Sequence, residues 1–314
     1  MWRIIGGILL GWGLGSNDSA NVFGTGVAAN ILKYRTAIIL ISIFVVLGAL
    51  TEGDKGMNTV GQMSRLSPTA AFIAALAAGL TVAMFSYLSL PVSTSQAIMG
   101  AVLGIGVILG IPDLTRLYRV VACWVFTPIG AAVLGYVLLP ILGMVFRRIL
   151  MNLRLRTTFI RVALISAGCY GAYSLGSNNV ANVTGVYVGS GLLTPFEGAL
   201  LGSLSISSGV LTYSKKVMNT VGKRIVALDG FSAFVAALSA AITVHFFTQV
   251  GVPVSASQAI VGGVTGVGLV RGARTVSKKT LAEIAIGWVS TPLACGIFAY
   301  VMMRIYLGVY GASG

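Results

Sequence analysis

Charged side chains are scarce in this sequence. Only 9% of its 314 residues are charged, and aspartate and glutamate together number seven. A soluble globular domain usually carries about 25% charged residues. Hydrophobic residues reach 56% and the mean hydropathy is +0.94. This composition excludes an ordinary soluble domain and predicts an integral membrane protein with helical spans of about 20 residues.

Residue types that carry enzyme chemistry are also rare. There is one histidine, and the three cysteines, Cys123, Cys169 and Cys295, lack the spacing of a disulfide or metal framework. No nucleophile–base pair or Walker loop is present, so we expect neither an enzyme nor a cofactor. The net charge of +14 is typical of nucleic-acid binding, but the basic residues lie between apolar segments. Membrane topology accounts for that placement, and no nucleic-acid partner is expected.

The sequence contains an internal repeat. Four blocks recur in the same order at a nearly constant offset: Gly15–Thr25 with Gly176–Gly185, Met57–Gly61 with Met218–Gly222, Pro91–Ile98 with Pro253–Ile260, and Trp124–Pro128 with Trp288–Pro292. Such constant spacing indicates duplication. The predicted halves are 1–146 and 162–314, joined by a basic cytoplasmic linker at 147–161.

Each half contains five apolar segments. They are 2–32, 36–50, 69–90, 97–111 and 117–146 in the first half, and 162–192, 198–212, 231–251, 259–270 and 281–309 in the second. Since five is odd, the second half must enter the membrane upside down, as in many secondary transporters. The predicted fold is an all-α membrane protein of two inverted-topology repeats, with helices broken at the polar islands and paired helical hairpins.

Basic residues are unevenly divided between the two membrane faces. We call the face at the N-terminus side A and the opposite face side B. Six of the 21 basic residues fall on side A, namely Arg3, Lys55, Arg65, Arg116, Arg119 and Arg304, and the remaining fifteen fall on side B. The positive-inside rule makes side B cytoplasmic. We therefore expect a multi-pass protein of the cell inner (plasma) membrane with both termini outside.

The segment pairs 69–90/97–111 and 231–251/259–270 are open to two interpretations. Each pair is either two full spans or one re-entrant hairpin, because both return to the starting side. The connecting sequence Pro-Val-Ser-x-Ser-Gln favours hairpins. Proline breaks one helix and the serines can cap the next.

Hairpin tips of this kind suit an oxyanion. A helix that starts after Pro91 or Pro253 directs free N–H groups and its positive dipole end into the protein centre, where hydroxyls add donors. The alternative is that the serines only cap helices; the duplication favours a site. The candidate anion ligands are Thr25, Ser93, Thr94, Ser95, Asn179, Ser255, Ala256 and Ser257.

The polar islands suit a hard cation such as Na⁺. Asn17 and Asn21 are spaced i, i+4, as are Asn178 and Asn182, and Asp18 is the sole acid in either island. Amide, carboxylate and unwound backbone oxygens are the ligands that such ions take. The alternative is interhelical hydrogen bonding. The candidate cation ligands are Asn17, Asp18, Asn21, Glu52, Asn58, Gln96, Asn178, Asn182, Asn219 and Gln258.

Two ionisable residues lie near the ends of apolar segments. Glu52 could bind a cation or face solvent, and the pattern does not decide between these. His245, the lone histidine, is interpreted as a packed or boundary residue in preference to a proton relay.

These motifs resemble the PiT family of inorganic phosphate transporters, which includes the type III sodium–phosphate cotransporters. The family signature G-x-N-D-x-x-N-x-x-G is similar to Gly15–Gly24, and both Pro-Val-Ser-x-Ser hairpins extend the likeness over nearly the whole chain. The short linker resembles that of compact prokaryotic members. The sequence departs from the family at Asn179, where aspartate is favoured, at Val186, where proline is common, and at Tyr213, where an acid tends to recur.

The resemblance implies cation-coupled symport of inorganic phosphate into the cell by alternating access, with Na⁺ as the coupling ion. The implied partners are inorganic phosphate, Na⁺ and the lipid bilayer, and a homodimer is left open. The alternatives are a proton-coupled phosphate or sulfate permease of the same fold, with coupling through Asp18 or Glu52, and an anion channel.

Overall fold

The computed structural model describes residues 2–28, 31–63, 66–87, 92–110, 114–149, 152–224, 228–272 and 278–310. These ranges contain helices and no strand. After a 3₁₀ turn at Trp2–Ile4, the helices are α1 Ile5–Ala28, α2 Tyr34–Glu52, α3 Asp54–Gln62, α4 Pro68–Tyr87, α5 Thr94–Leu109, α6 Leu114–Ile149, α7 Leu153–Gly189, α8 Pro195–Arg224, α9 Gly230–Val250, α10 Ala256–Val270 and α11 Lys278–Tyr310. The predicted all-α class is confirmed.

Helices of the two halves correspond in order. Helix α1 matches α7, the pair α2–α3 matches α8, α4 matches α9, α5 matches α10, and α6 matches α11. The second match is unequal, because α8 is continuous where the first half is interrupted at Gly53. The basic linker is largely helical, since α6 ends at Ile149 and α7 begins at Leu153. The predicted boundaries of the halves stay a prediction.

The polar islands lie inside uninterrupted helices, so the expected breaks at these positions are wrong. Helix α1 runs through Gly15–Thr25, and α7 runs through Gly176–Gly185. Ser16 Oγ donates to the Gly13 carbonyl at 2.8 Å, so its hydroxyl is satisfied within the helix. The helical interruptions near the centre occur at the hairpin tips, before Thr94 and Ala256. Unwound island carbonyls are therefore not available as ligands.

The described helices have the length and composition of membrane spans. Six of them are long and apolar enough to cross a membrane, and α5 and α10 are shorter apolar helices. The α11 window Ile286–Tyr310 is only 17% buried against protein, so most of its apolar surface faces outward. That pattern is typical of a multi-pass membrane protein, in which lipid covers the outer helices.

The two halves interlock. Helix α1 packs on α8 and α2 on α7, while α5 packs on α11 and α10 on α6. The α1–α8 and α2–α7 interfaces contain equivalent hydrogen bonds. Trp12 Nε1 donates to Thr212 Oγ1 at 2.9 Å, and Thr51 Oγ1 bonds Tyr173 OH at 2.8 Å. Each half therefore buries its helices mainly against the other half.

Glycines set the closeness of the packing between hairpins and outer helices. A Cβ added to Gly100 or Gly262 would meet the backbone carbonyl of Pro292 or Pro128. One turn later, a Cβ added to Gly104 or Gly266 would meet the backbone carbonyl of Gly296 or Ala132. Small residues let membrane helices approach closely, because neither lipid nor side chain separates the backbones.

We expect Gly266→Ala to destabilise the protein by about 1–3 kcal/mol, because the added methyl must push α10 away from α6. Gly308→Ala is the matched control, since a Cβ there meets nothing within 4 Å. In that exposed helix alanine is favoured over glycine by about 1 kcal/mol. Thermal unfolding in detergent measures both. Equal melting temperatures for the two variants would contradict the close approach.

Candidate functional site

The first hairpin tip is buried inside the protein. Ser93 Oγ accepts a hydrogen bond from the Gln96 amide at 3.4 Å and caps α5. Ser93, Thr94, Ser95 and Gln96 are all buried, whereas Pro91 lies outside the described residues. A loop between two full spans would lie at a membrane face, so the buried tip favours the re-entrant interpretation.

The second tip repeats this geometry with one change. Ser255 Oγ accepts from the Gln258 amide at 3.4 Å and lies 2.8 Å from Ser257 Oγ. Ala256 occupies the position of Thr94, so this tip lacks one hydroxyl. Both caps leave the first N–H groups of α5 and α10 directed into the protein, which is a favourable arrangement for an anion.

Asp18 joins the first island to the first tip. Its Oδ2 accepts from Thr94 Oγ1 at 3.2 Å, and its Oδ1 lies 3.4 Å from Asn21 Nδ2. The equivalent pair on α7 is Asn182 Nδ2 donating to Asn179 Oδ1 at 2.9 Å. Asp18 is 4% exposed, and a carboxylate so deeply buried requires compensating partners.

Several buried polar atoms of the tips and the islands have no hydrogen-bond partner among the described residues. Three are acceptors, namely Gln96 Oε1, Gln258 Oε1 and Asn182 Oδ1, while Asn179 Nδ2 is a donor. Ser19 Oγ is also unpaired. Buried polar atoms are nearly always bonded, and leaving one unpaired costs about 1–3 kcal/mol. The acceptors fit a cation, and the amide N–H fits an oxyanion.

Asn178 has a different environment from the other island amides. Its Nδ2 donates to Thr248 Oγ1 and to the Val252 carbonyl, both at 3.1 Å, and its Oδ1 accepts from the Val254 amide at 2.7 Å. These bonds hold the chain just before Ser255. The side chain thus positions the start of α10, and its oxygen is already engaged by the backbone.

The two islands differ in exposure. Asn17, Asn21 and Thr25 are half-buried along one face of α1, whereas Asn178 and Asn182 on α7 are buried. A cavity of about 20 Å³ lies beside this α1 face and is lined by Asn21, Val22, Ala167, Gly171, Leu175, Ala237, Ala240, Ala241, Val244 and Ala256. The α1 island is therefore more exposed than the α7 island.

Some predicted ligands lie away from this centre. Thr25 is seven residues beyond Asp18, or about 10 Å along α1. Asn58 is exposed on α3 and lines a separate cavity of about 490 Å³ together with Ser67 and Ser190. The side chain of Asn219 lies outside the described residues.

Glu52 and His245 contact each other. His245 Nε2 lies 2.8 Å from Glu52 Oε2, and Lys55 Nζ lies 3.4 Å from Glu52 Oε1. An adjacent ammonium group makes Glu52 a poor cation ligand. The interpretation of His245 as a packed or boundary residue did not include this partner, and sequence spacing carried no signal for a pair 193 positions apart.

Sequence reasoning also missed Thr248 and Ser19. Thr248 of α9 accepts a hydrogen bond from Asn178 of α7. The sequence signal for this role was a hydroxyl residue, Ser86, at the equivalent position of the first hairpin. Ser19 follows Asp18 and is fully buried with an unpaired hydroxyl. Nothing in its spacing distinguished it from a packing serine.

The chain is similar in sequence to known proteins. The profile of the Phosphate transporter family matches residues 14–299. A relative in Methanocaldococcus jannaschii, named "Putative phosphate permease MJ0630", is 32% identical over 295 residues, which cover 93% of each chain. "Sulfate permease CysP" of Bacillus subtilis is 26% identical over 302 residues, covering 94% of this chain and 84% of that protein.

A solved structure is also similar. It is titled "The sodium-dependent phosphate transporter", is 23% identical, and superposes with a TM-score of 0.84 over 96% of this chain and 98% of that chain. This likeness shows a shared fold. Because the family profile spans nearly the entire sequence, the chain belongs to the phosphate transporter family and is a multi-pass membrane transporter, not an enzyme.

Proposed function

We propose that this protein carries inorganic phosphate into the cell by symport with Na⁺. The observation that carries the proposal is the set of unpaired buried acceptors and one unpaired donor around two helix N-termini and Asp18. The unpaired acceptors are available to a cation, and the unpaired donor and helix N-termini are available to an oxyanion. The similar solved structure is titled as sodium-dependent, and the relatives' names include phosphate permeases, which supports the same assignment.

The phosphate would lie between the two tips. The first N–H groups of α5 and α10, the hydroxyls of Ser93, Ser95, Ser255 and Ser257, and Asn179 Nδ2 are the donors available there. No lysine or arginine occurs in 66–115 or 225–270. Positive charge beside the anion must therefore come from helix ends and from bound cations.

The cation would lie beside Asp18. Its candidate ligands are the carboxylate of Asp18 with Gln96 Oε1, Gln258 Oε1, Asn182 Oδ1 and Asn21. This proposal omits Glu52, which has an ammonium neighbour, and Asn58, which lines the separate cavity. It assigns Asn178 a positioning role in place of ligation. Oxygen donors of this type suit Na⁺.

Membrane energetics motivate the coupling. Moving one charge through a membrane potential of 100 mV costs about 2.3 kcal/mol. The entry of a dianion into a negative-inside cell therefore costs about 4.6 kcal/mol in electrical work. Two Na⁺ ions cancel this charge, and a third makes uptake electrogenic. Na⁺ also offsets the repulsion between phosphate and Asp18.

We further propose alternating access by an inverted repeat in the plasma membrane, with both termini outside. The unequal exposure of the two islands supports this proposal, since the equivalent helices α1 and α7 differ in how far their island side chains are exposed within one molecule. The half-buried face of α1 then lies on the path that is more open, while the α7 island is closed.

We expect Asp18→Asn to abolish Na⁺-dependent phosphate binding, because it removes the charge that a cation needs in this buried site. Isothermal titration of purified protein with phosphate, with and without Na⁺, measures the effect. Asp54→Asn is the matched control, since Asp54 is exposed on α3. Full Na⁺ dependence in Asp18→Asn would refute the carboxylate's role.

Gln96→Leu and Gln258→Leu should each raise the Na⁺ concentration for half-maximal phosphate binding at least tenfold, about 1.4 kcal/mol. Each variant removes a buried oxygen that has no described partner. Asn58→Ala should leave this concentration unchanged, because Asn58 lies in the other cavity. A larger effect at Asn58 than at either glutamine would place the cation elsewhere.

The likeness to a sulfate permease favours one alternative, a proton-coupled phosphate or sulfate permease. Uptake of radiolabelled phosphate or sulfate into proteoliposomes, with an imposed Na⁺ or H⁺ gradient, separates the two. We expect Na⁺-driven phosphate uptake. Uptake driven by a pH gradient without Na⁺, or preference for sulfate, would select the alternative, and flux without saturation or coupling would indicate a channel.

A further inference from the structure

The end of α9 is tied to the α2–α3 junction by a network of polar side chains. His245 Nε2 lies 2.8 Å from Glu52 Oε2, and Gln249 Nε2 donates to the same oxygen at 3.0 Å. Lys55 Nζ donates to Gln249 Oε1 at 2.7 Å and lies 3.4 Å from Glu52 Oε1. We call these four residues the α9 latch. They join a hairpin of the second half to a helix junction of the first.

Backbone contacts extend the latch to the loop before the tip. Thr59 Oγ1 donates to the Gly251 carbonyl at 2.6 Å, and Arg119 of α6 donates to the Val250 carbonyl at 3.2 Å. Gly251 has φ +76°, a backbone conformation that favours glycine and turns the chain toward the tip. The next residues in the chain, Val252 and Val254, are hydrogen-bonded by the Asn178 side chain. The latch is therefore continuous with the residues that position α10.

The remaining groups facing His245 come from α7. Tyr170 OH lies 2.7 Å from His245 Nδ1, and the Tyr173 ring centroid lies 5.7 Å from the imidazole centroid. In the described part of the chain, the other ionisable groups near it are Glu52 and Lys55 on the α2–α3 side and Arg119 near the end of α9. Both imidazole nitrogens have partners, so the ring is held in one orientation.

The first hairpin has different residues at the equivalent positions. Thr81-Val82-Ala83 aligns with Thr243-Val244-His245, so alanine stands where the histidine is. The counterpart of Glu52 is Tyr213, whose ring packs against Trp12 at 5.4 Å between centroids. Ser86 Oγ, the counterpart of Thr248 Oγ1, is buried without a partner in the described part of the chain. The ionisable connection is thus specific to one of the two hairpins.

We propose that the α9 latch holds the second hairpin against α2 and α3, so that movement of this hairpin away from them requires these bonds to break. The latch residues are partly exposed, with side-chain exposures of 24% for His245 and 21% for Glu52. The latch involves none of the proposed ion ligands, so it does not depend on which ion is carried. The first hairpin has no equivalent ionic contact among its described residues.

Hydrogen–deuterium exchange of the full-length purified protein tests the latch without substrate. We expect His245→Ala, which places alanine at the position that Ala83 holds in the first hairpin, to speed exchange of the segment 246–254 at least tenfold. The tip at 92–98 should keep its wild-type rate and serves as the internal control. Equal rates at 246–254 in variant and wild type would overturn the proposal.

A second variant guards against a general loss of structure. Glu52→Gln keeps the shape of the side chain and should speed exchange of 246–254 as His245→Ala does, while the tip at 92–98 again keeps its wild-type rate. A wild-type exchange rate at 246–254 in Glu52→Gln would contradict the role of the carboxylate.

Discussion

The structure depends on one constraint: a polar group inside the apolar medium of a membrane must find its partner within the protein. In this chain the central polar groups belong to two helices and two hairpin tips. Asp18 meets Thr94, Asn179 meets Asn182, and Asn178 holds the loop before α10. The close glycine packing of α5 on α11 and of α10 on α6 keeps the tips at the depth where these bonds form.

Much of the fold could be predicted because its signals are local or repeated. Proline and serine at 91–95 and 253–257 predict where the helices start, and the structure places the caps at Ser93 and Ser255. The internal repeat predicts that whatever one half does, the other does too. The equivalent hydrogen bonds Trp12–Thr212 and Thr51–Tyr173 follow from that duplication.

The failures concern partners that are distant in sequence. Composition made the islands look like helix breaks, but hydroxyls such as Ser16 bond within the helix and leave its backbone intact. Asn178 looked like a cation ligand, yet its partners lie 70 to 76 positions away. His245 and Glu52 are 193 positions apart. No spacing rule reports such contacts, because they arise only when helices that are distant in sequence pack together.

The departures from symmetry are themselves coordinated. Where the first half pairs the carboxylate of Asp18 with the hydroxyl of Thr94, the second half has Asn179 and Ala256, so acid and donor are absent together. Free oxygens remain on both tips, at Gln96 and Gln258. In the site that we propose, a cation drawn to the carboxylate of Asp18 binds oxygens from both hairpins. Its occupancy would link the closure of one hairpin to that of the other, and because such coupling is reciprocal, the closed hairpins would in turn hold the cation more tightly.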